Sequence, residues 1–186
     1  MIRQTCVALM LTTLASTAGA VVLDGEILRQ NGAGQFMKLT TDRPFAVGAD
    51  NFNTDHLYAF DEDQNIELER AIRVDIGGEV GVIPGGTTVA SHYVFFDSYS
   101  GTQYGYVYFD APVLGIAAYQ DTMAATDFLA NTQVTYISTE LRGLEDGDQV
   151  WIDEEDPHKL WVYWAGSSPG DYIRVFTARS PTAHMM

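Results

Sequence analysis

Cysteine is all but missing: Cys6 is the only one in a chain of 186 residues. A single thiol forms no intrachain disulfide and no multi-thiolate metal centre. Cations are scarce too, with 10 Lys+Arg against 25 Asp+Glu and a formal net charge of −15. A field of that sign repels phosphate backbones and anionic headgroups, which excludes nucleic-acid binding and adhesion through a basic patch. Histidines are few, and His56, His92 and His158 fall in separate segments without the spacing of a zinc site. Internal repeats and low-complexity tracts are absent. After the first twenty residues, no segment reaches the roughly 18 apolar residues of a membrane helix. What is there is apolar: 46% hydrophobic and 12% aromatic residues, too much for a disordered acidic chain and enough for one domain.

Residues 1–20 have the layout of an export signal. Arg3 gives a short positive start, an apolar run follows from Cys6 to Ala15, and Ala18 and Ala20 suit cleavage after Ala20. Cleavage leaves 166 residues with nine basic against 25 acidic groups, a formal charge of −16, and removes Cys6. The expectation is a thiol-free protein, secreted or periplasmic, standing on its core alone.

From there on, short segments rich in Val, Ile, Tyr, Phe, Trp and Thr alternate with turn chemistries such as Asn31-Gly32, Pro84-Gly85-Gly86 and Asp146-Gly147. Strands are predicted at about 21–29, 35–40, 66–75, 87–96, 103–109, 113–119, 133–139, 148–152, 159–165 and 171–178. One short helix is predicted over 121–130, capped by Asp121 and packed through Met123, Phe128 and Leu129. The polar piece 42–65 reads as a long excursion with one weak strand near Phe45–Val47. Two hairpins are expected, one from 89–96 into 103–109 and one from 148–152 into 159–164. In the second, Trp151 falls opposite Trp161, and Trp151, Trp161 and Tyr163 share the face opposite Val150, Ile152, Leu160, Val162 and Trp164. The pattern predicts an all-β protein: an antiparallel sandwich, jelly-roll-like, in a single domain at 21–179 with a disordered tail at 180–186.

Several patterns touch on chemistry. Gly166-Ser167-Ser168-Pro169-Gly170 matches the G-x-S-x-G of serine hydrolases, but a strand rather than a helix is predicted to follow, which favours a plain turn. Ser138-Thr139-Glu140-Leu141-Arg142 resembles a strand of jelly-roll alginate lyases, without the Gln-x-His and Tyr-x-Lys-x-Gly strands that accompany it there. The runs Asp61-Glu62-Asp63 and Asp153-Glu154-Glu155-Asp156 read as solvated loops. A calcium site is a compositional possibility, with Asp24, Glu26 and Asp171 as ligands where the first and last strands end, and Asp50, Asn51 and Asp55 as further oxygen donors. His92, inside a strand, reads as a hydrogen-bonded packing residue.

A broader resemblance runs through Asp50–Asn65, Gly85–Asp97, Phe109–Ile116, Leu141–Asp148 and Ser168–Val175. Together these blocks look like a family of secreted bacterial β-rich proteins, many of which end in a PEP-CTERM sorting tail and none of which has an assigned activity. The resemblance implies no catalytic residues. Where such proteins continue into Pro-Glu-Pro and an apolar helix, this chain reads Ser180-Pro181-Thr182-Ala183-His184-Met185-Met186, so free secretion or periplasmic residence is expected rather than anchoring.

The leading functional expectation is an exported, non-catalytic matrix or surface-associated module that meets extracellular polysaccharide on Trp151, Trp161 and Tyr163, with calcium as a structural aid. A carbohydrate-active enzyme using an acidic pair in a sandwich cleft is the second, and a purely structural secreted protein the third.

Overall fold

The computed structural model describes residues 21–48, 51–165 and 168–179. The expected leader, the tail at 180–186, Asp50 and the Gly166-Ser167 pair lie outside the described residues. In chain order the first strands are β1 (Val22–Gln30), β2 (Phe36–Lys38), β3 (Phe45–Val47), β4 (Leu57–Asp61), β5 (Ile66–Glu67), β6 (Ile72–Arg73), β7 (Ile76–Gly77) and β8 (Val82–Ile83). They are followed by β9 (Thr88–Phe96), β10 (Gln103–Phe109), β11 (Val113–Ala117), β12 (Val134–Tyr136), β13 (Gln149–Ile152), β14 (Lys159–Trp164) and β15 (Asp171–Ala178). Between β11 and β12 lies the helix α1 (Gln120–Ala125), continued by a 3-10 turn at Asp127–Leu129.

Two sheets face each other. One has four strands in the order β1-β10-β14-β13. The other has seven, β2-β4-β9-β15-β11-β7 with β5 also paired to β9. Pairing is antiparallel except for β2 with β4 and β3 with β12. Val107, Phe109, Leu160, Val162 and Trp164 of the smaller sheet pack on Leu57, Ala59, Val94, Phe96, Ile173 and Val175 of the larger one. This is the expected all-β sandwich with a dry interior.

The larger sheet has a second core on its far face. Tyr58, Phe60, Tyr93, Phe95, Tyr172 and Phe176 pack there under Met123, Leu129, Val134 and Ile137 from the helical segment and β12. A sheet covered on both sides buries both faces of its central strands, and any polar side chain there must find a partner inside. That is why β9 is buried from Val89 to Phe96 and β15 from Asp171 to Thr177. Among the described residues the four-stranded sheet is covered on one side only, and its outer face is the open sheet surface.

Four local expectations are corrected. β9 and β10 do not form a hairpin: β9 pairs with β4, β5 and β15, β10 with β1 and β14, and the connection crosses from one sheet to the other. The crossing is held inside the fold, with Asp97 and Ser98 buried. β4, with Leu57 to Phe60 wholly buried, runs through the supposed polar excursion. The helical stretch breaks at Thr126, and Phe128 is half exposed rather than packed. Asp121 sits in the first turn of α1 instead of capping it. Asp75 takes that role from a distant loop, accepting from the Ala118 and Tyr119 amides and from the Thr122 hydroxyl. Its negative charge also suits the positive end of the helix.

Close approach of β1 to β10 depends on one glycine. A Cβ on Gly105 would lie 2.2 Å from the Glu26 carbonyl oxygen, which is backbone and cannot swing aside. Gly105→Ala is therefore expected to destabilise the fold by about 1–3 kcal/mol in urea unfolding. Wild-type stability in that variant would show that β1 shifts without strain.

Candidate functional site

Alternation along β10 buries Gln103, Gly105, Val107 and Phe109 and turns Tyr104, Tyr106 and Tyr108 outward. On β14 the outward set is Lys159, Trp161 and Tyr163, and on β13 it includes Gln149 and Trp151. The register aligns these into rows across the strands. One row is Glu26, Tyr106, Trp161, Trp151; another is Arg29, Tyr104, Tyr163, Gln149; a shorter one is Asp24, Tyr108, Lys159. Trp151 stands opposite Trp161, as the hairpin pattern requires.

The rings form one array. Trp151 and Trp161 are stacked with centroids 6.1 Å apart and planes at 15°, and Tyr104 stacks on Trp161 at 5.4 Å and 7°. Tyr104 also stacks on Trp151 at 6.3 Å, while Tyr106 meets Trp161 edge-on at 5.4 Å. Offset stacking of this kind stabilises each pair by about 0.5–1.5 kcal/mol beyond burial. Trp151, Trp161, Tyr104 and Tyr106 stay half-buried, and Tyr163 is 42% exposed.

Carboxylates hold the polar tips of the rings. Trp161 Nε1 donates to Asp153 Oδ2 at 2.6 Å, Tyr106 to Glu26 Oε2 at 3.0 Å and Tyr108 to Asp156 Oδ2 at 2.9 Å. Asp153 also accepts from the amides of Glu155 and Asp156, which folds the acidic loop between β13 and β14 around it. The indole and amide donors hold the Asp153 carboxyl below its ordinary range. The hydrogen bonds to Glu26 and Asp156 raise the Tyr106 and Tyr108 phenols. Arg29 lies over the Tyr104 ring at 5.9 Å, and Lys159 over Tyr106 at 5.0 Å and Trp161 at 5.4 Å.

The three residues expected to bind calcium are not brought together. Asp24 and Glu26 are exposed on the outer face of the four-stranded sheet, whereas Asp171 is buried at the start of β15 in the seven-stranded one. The start of β1 does meet the larger sheet, with the Val22 amide on Asp61 beside His92 and Thr177, but that is the end of β15, whereas Asp171 lies at its start, opposite Phe96. Asp55 is engaged in the crossing loops, accepting from Ser98 Oγ at 3.3 Å. Among the described residues no group of three or more His, Asp or Glu side chains is placed to hold a metal.

Other motifs resolve into structure. Thr139–Leu141 is a 3-10 turn, not a strand, and Arg142 behind it binds Asp127 Oδ1 at 2.6 Å and the Ile137 carbonyl at 2.7 Å. Ser168, Pro169 and Gly170 form a turn that leads into β15, not into a helix. His92 is indeed a hydrogen-bonded packing residue. Its Nδ1 lies 2.9 Å from Asp61 Oδ1 and its Nε2 3.0 Å from Thr177 Oγ1. An acid, an imidazole and a hydroxyl in line have the connectivity of a nucleophile relay. Here His92 and Thr177 have no exposed surface and Phe109 lies against the imidazole, so no substrate reaches the hydroxyl. Burial pushes the Asp61 carboxyl up, but His92, the Val22 amide and Lys38 outweigh it and hold it below its ordinary range.

Tyr104 and Tyr106 are the members of the array that the hairpin pattern alone does not link to Trp151 and Trp161. Only the pairing of β10 with β14, over fifty residues away in sequence, joins the two. Comparison with known proteins finds no family model that matches this chain, no similar curated protein and no similar solved structure.

Proposed function

We propose that this is an exported, non-catalytic sandwich protein that binds extracellular polysaccharide on the outer face of its four-stranded sheet. The observation that carries the reading is the population of that face. The solvent side of an antiparallel sheet is ordinarily polar. Here Tyr104, Tyr106, Tyr108, Trp151, Trp161 and Tyr163 occupy it, with carboxylates and two cations at their margins. Sugar rings present apolar C–H faces and hydroxyl rims, and stacked aromatics with fixed polar neighbours match both. The leader-like first twenty residues and the likeness to secreted bacterial proteins support the extracellular setting.

A hydrolytic alternative needs two carboxyl groups facing each other across a cleft, about 5–9 Å apart. On this face Glu26, Asp153 and Asp156 each hold an aromatic tip along an open sheet, which favours binding over bond cleavage.

Affinity electrophoresis against soluble polysaccharides tests the reading. The wild-type chain should be retarded by at least one of them. Trp151→Ala combined with Trp161→Ala should weaken that retardation at least about tenfold, the loss of one or two stacking contacts. Unchanged retardation in the double variant would remove the face as the site.

A further inference from the structure

Resting on the glycan-binding reading above, we infer that the polymer taken by this face is uncharged and lies across the strands along the Glu26–Tyr106–Trp161–Trp151 row. Charge is the first argument. The face carries Asp24, Glu26, Asp153 and Asp156 against Arg29 and Lys159, in a chain of formal charge −15. Both cations lie over ring faces, Arg29 over Tyr104 and Lys159 over Tyr106 and Trp161. A uronate or sulfate ester would approach a net negative surface on which the positive groups are already engaged by π-systems.

Hydrogen-bond chemistry is the second argument. Glu26 takes one donor, Asp156 two and Asp153 three, and an ionised carboxylate has about four acceptor positions, so most of the remaining capacity lies on Glu26 and Asp156. Acceptor capacity remains beside the rings, and uncharged hydroxyl groups are the donors that suit it. An anionic sugar would offer acceptors to acceptors.

Length is the third. Four strands in register span three gaps of about 4.8 Å each, so the row is about 14 Å long. Rings recur along it at Tyr106, Trp161 and Trp151. That suits a run of several sugars, not a single one.

Matched polymers that differ only in charge test the inference. The full chain would be run in affinity electrophoresis against highly methyl-esterified pectin and polygalacturonate, and against hydroxyethylcellulose and carboxymethylcellulose. Dextran, xyloglucan and galactomannan extend the neutral set. At least one neutral polymer should retard the protein, and the charged partner of each pair should bind at least tenfold more weakly at low salt. Trp151→Ala, at the sheet edge, should weaken retardation about three- to tenfold, the loss of one stacking contact, and it keeps the result readable should Trp161→Ala fail to fold. Equal or stronger binding of a charged member, weakened in the same way by Trp151→Ala, would overturn the neutral class while leaving the face as the site. A monosaccharide competing as well as its polymer would overturn the extended row. Retardation by none of these polymers would remove the glycan reading and this inference with it.

Discussion

Replacing Arg174 with methionine should cost the fold about 3–5 kcal/mol, although the residue lies far from the aromatic face. Its side chain and that of Glu62 have no exposed surface, and Nε and Oε2 are 2.7 Å apart with Nη2 and Oε1 at 3.1 Å. The guanidinium also donates to the Met123 carbonyl, Thr126 Oγ1 and Asp127 Oδ1. Glu62 in turn accepts from Ser91 Oγ and Tyr136 Oη, each at 2.6 Å. Burial pulls the Arg174 guanidinium down, and the Glu62 carboxylate more than offsets it, so the charge is held above the usual arginine range. Removing Arg174 leaves Glu62 ionised in the second core with no cation beside it, and removing Glu62 leaves Arg174 only the part-exposed Asp127 carboxylate that it shares with Arg142. Glu62→Leu should therefore cost a similar amount, and either variant should lower Tm by roughly 10–15 °C for a domain of this size. The double variant should lose clearly less than the sum of the singles, because no orphaned charge remains. Single losses below about 1 kcal/mol in urea melts, or additive losses in the double variant, would contradict a paired, desolvated ion pair.

That second core marks where sequence reasoning ran short. Alternation is the signal for a sheet with one wet face, and it worked for β10, β13 and β14, whose outer faces are open. In β9 and β15 every position but the ends is buried, so alternation carries no signal for where Ser91, His92 and Arg174 find their partners. Each is matched to a partner on another element: Glu62, Asp61 and Thr177, and Glu62 again. Asp61 and Glu62 sit in or beside β4, the strand concealed by polar neighbours on both sides.

The aromatic face was legible in part for a similar reason. A local hairpin fixes its own register, so Trp151 opposite Trp161 follows from the strand pattern and the loop between them. Whether a short connection folds back into the same sheet or crosses to the other is decided by the core, not by the connection. The five residues after Phe96 look the same in either case. Misassigning that crossing paired β10 with the wrong strand and kept Tyr104 away from Trp161, its stacking partner. Grouping Asp24, Glu26 and Asp171 rests on the same kind of assumption, and strand direction, a non-local property too, sets Asp171 at the start of β15 while the start of β1 meets its end.

Asp171 has a different and measurable part. Burial first, then its hydrogen bond with the Asp148 side chain and the charges of Asp148 and Glu145, push its carboxyl up to about 9. Asp148 is anchored as an acceptor, taking the Ala165 amide at 2.8 Å and the Glu145 amide at 3.0 Å. At neutral pH the folded chain thus keeps a proton on Asp171, while the unfolded chain, with an ordinary pKa near 4, releases it. A folded state that binds more protons than the unfolded state loses stability as pH rises. The contribution is complete below about pH 4 and declines through the interval up to about pH 9, by at most about 1.4 kcal/mol per pH unit. Asp171→Asn keeps the shape and a donor toward Asp148 without a proton to lose. It should be more stable than wild type at pH 8, by about 4 kcal/mol, and within about 1 kcal/mol of it at pH 4.5. Its urea midpoint should also change less between those two pH values. Parallel midpoint curves for the two proteins from pH 4.5 to 8 would mean that Asp171 is already ionised in the native state. The buried end of β15 would then need a cation or a donor beside Asp148 that the hydrogen bonds described above do not supply.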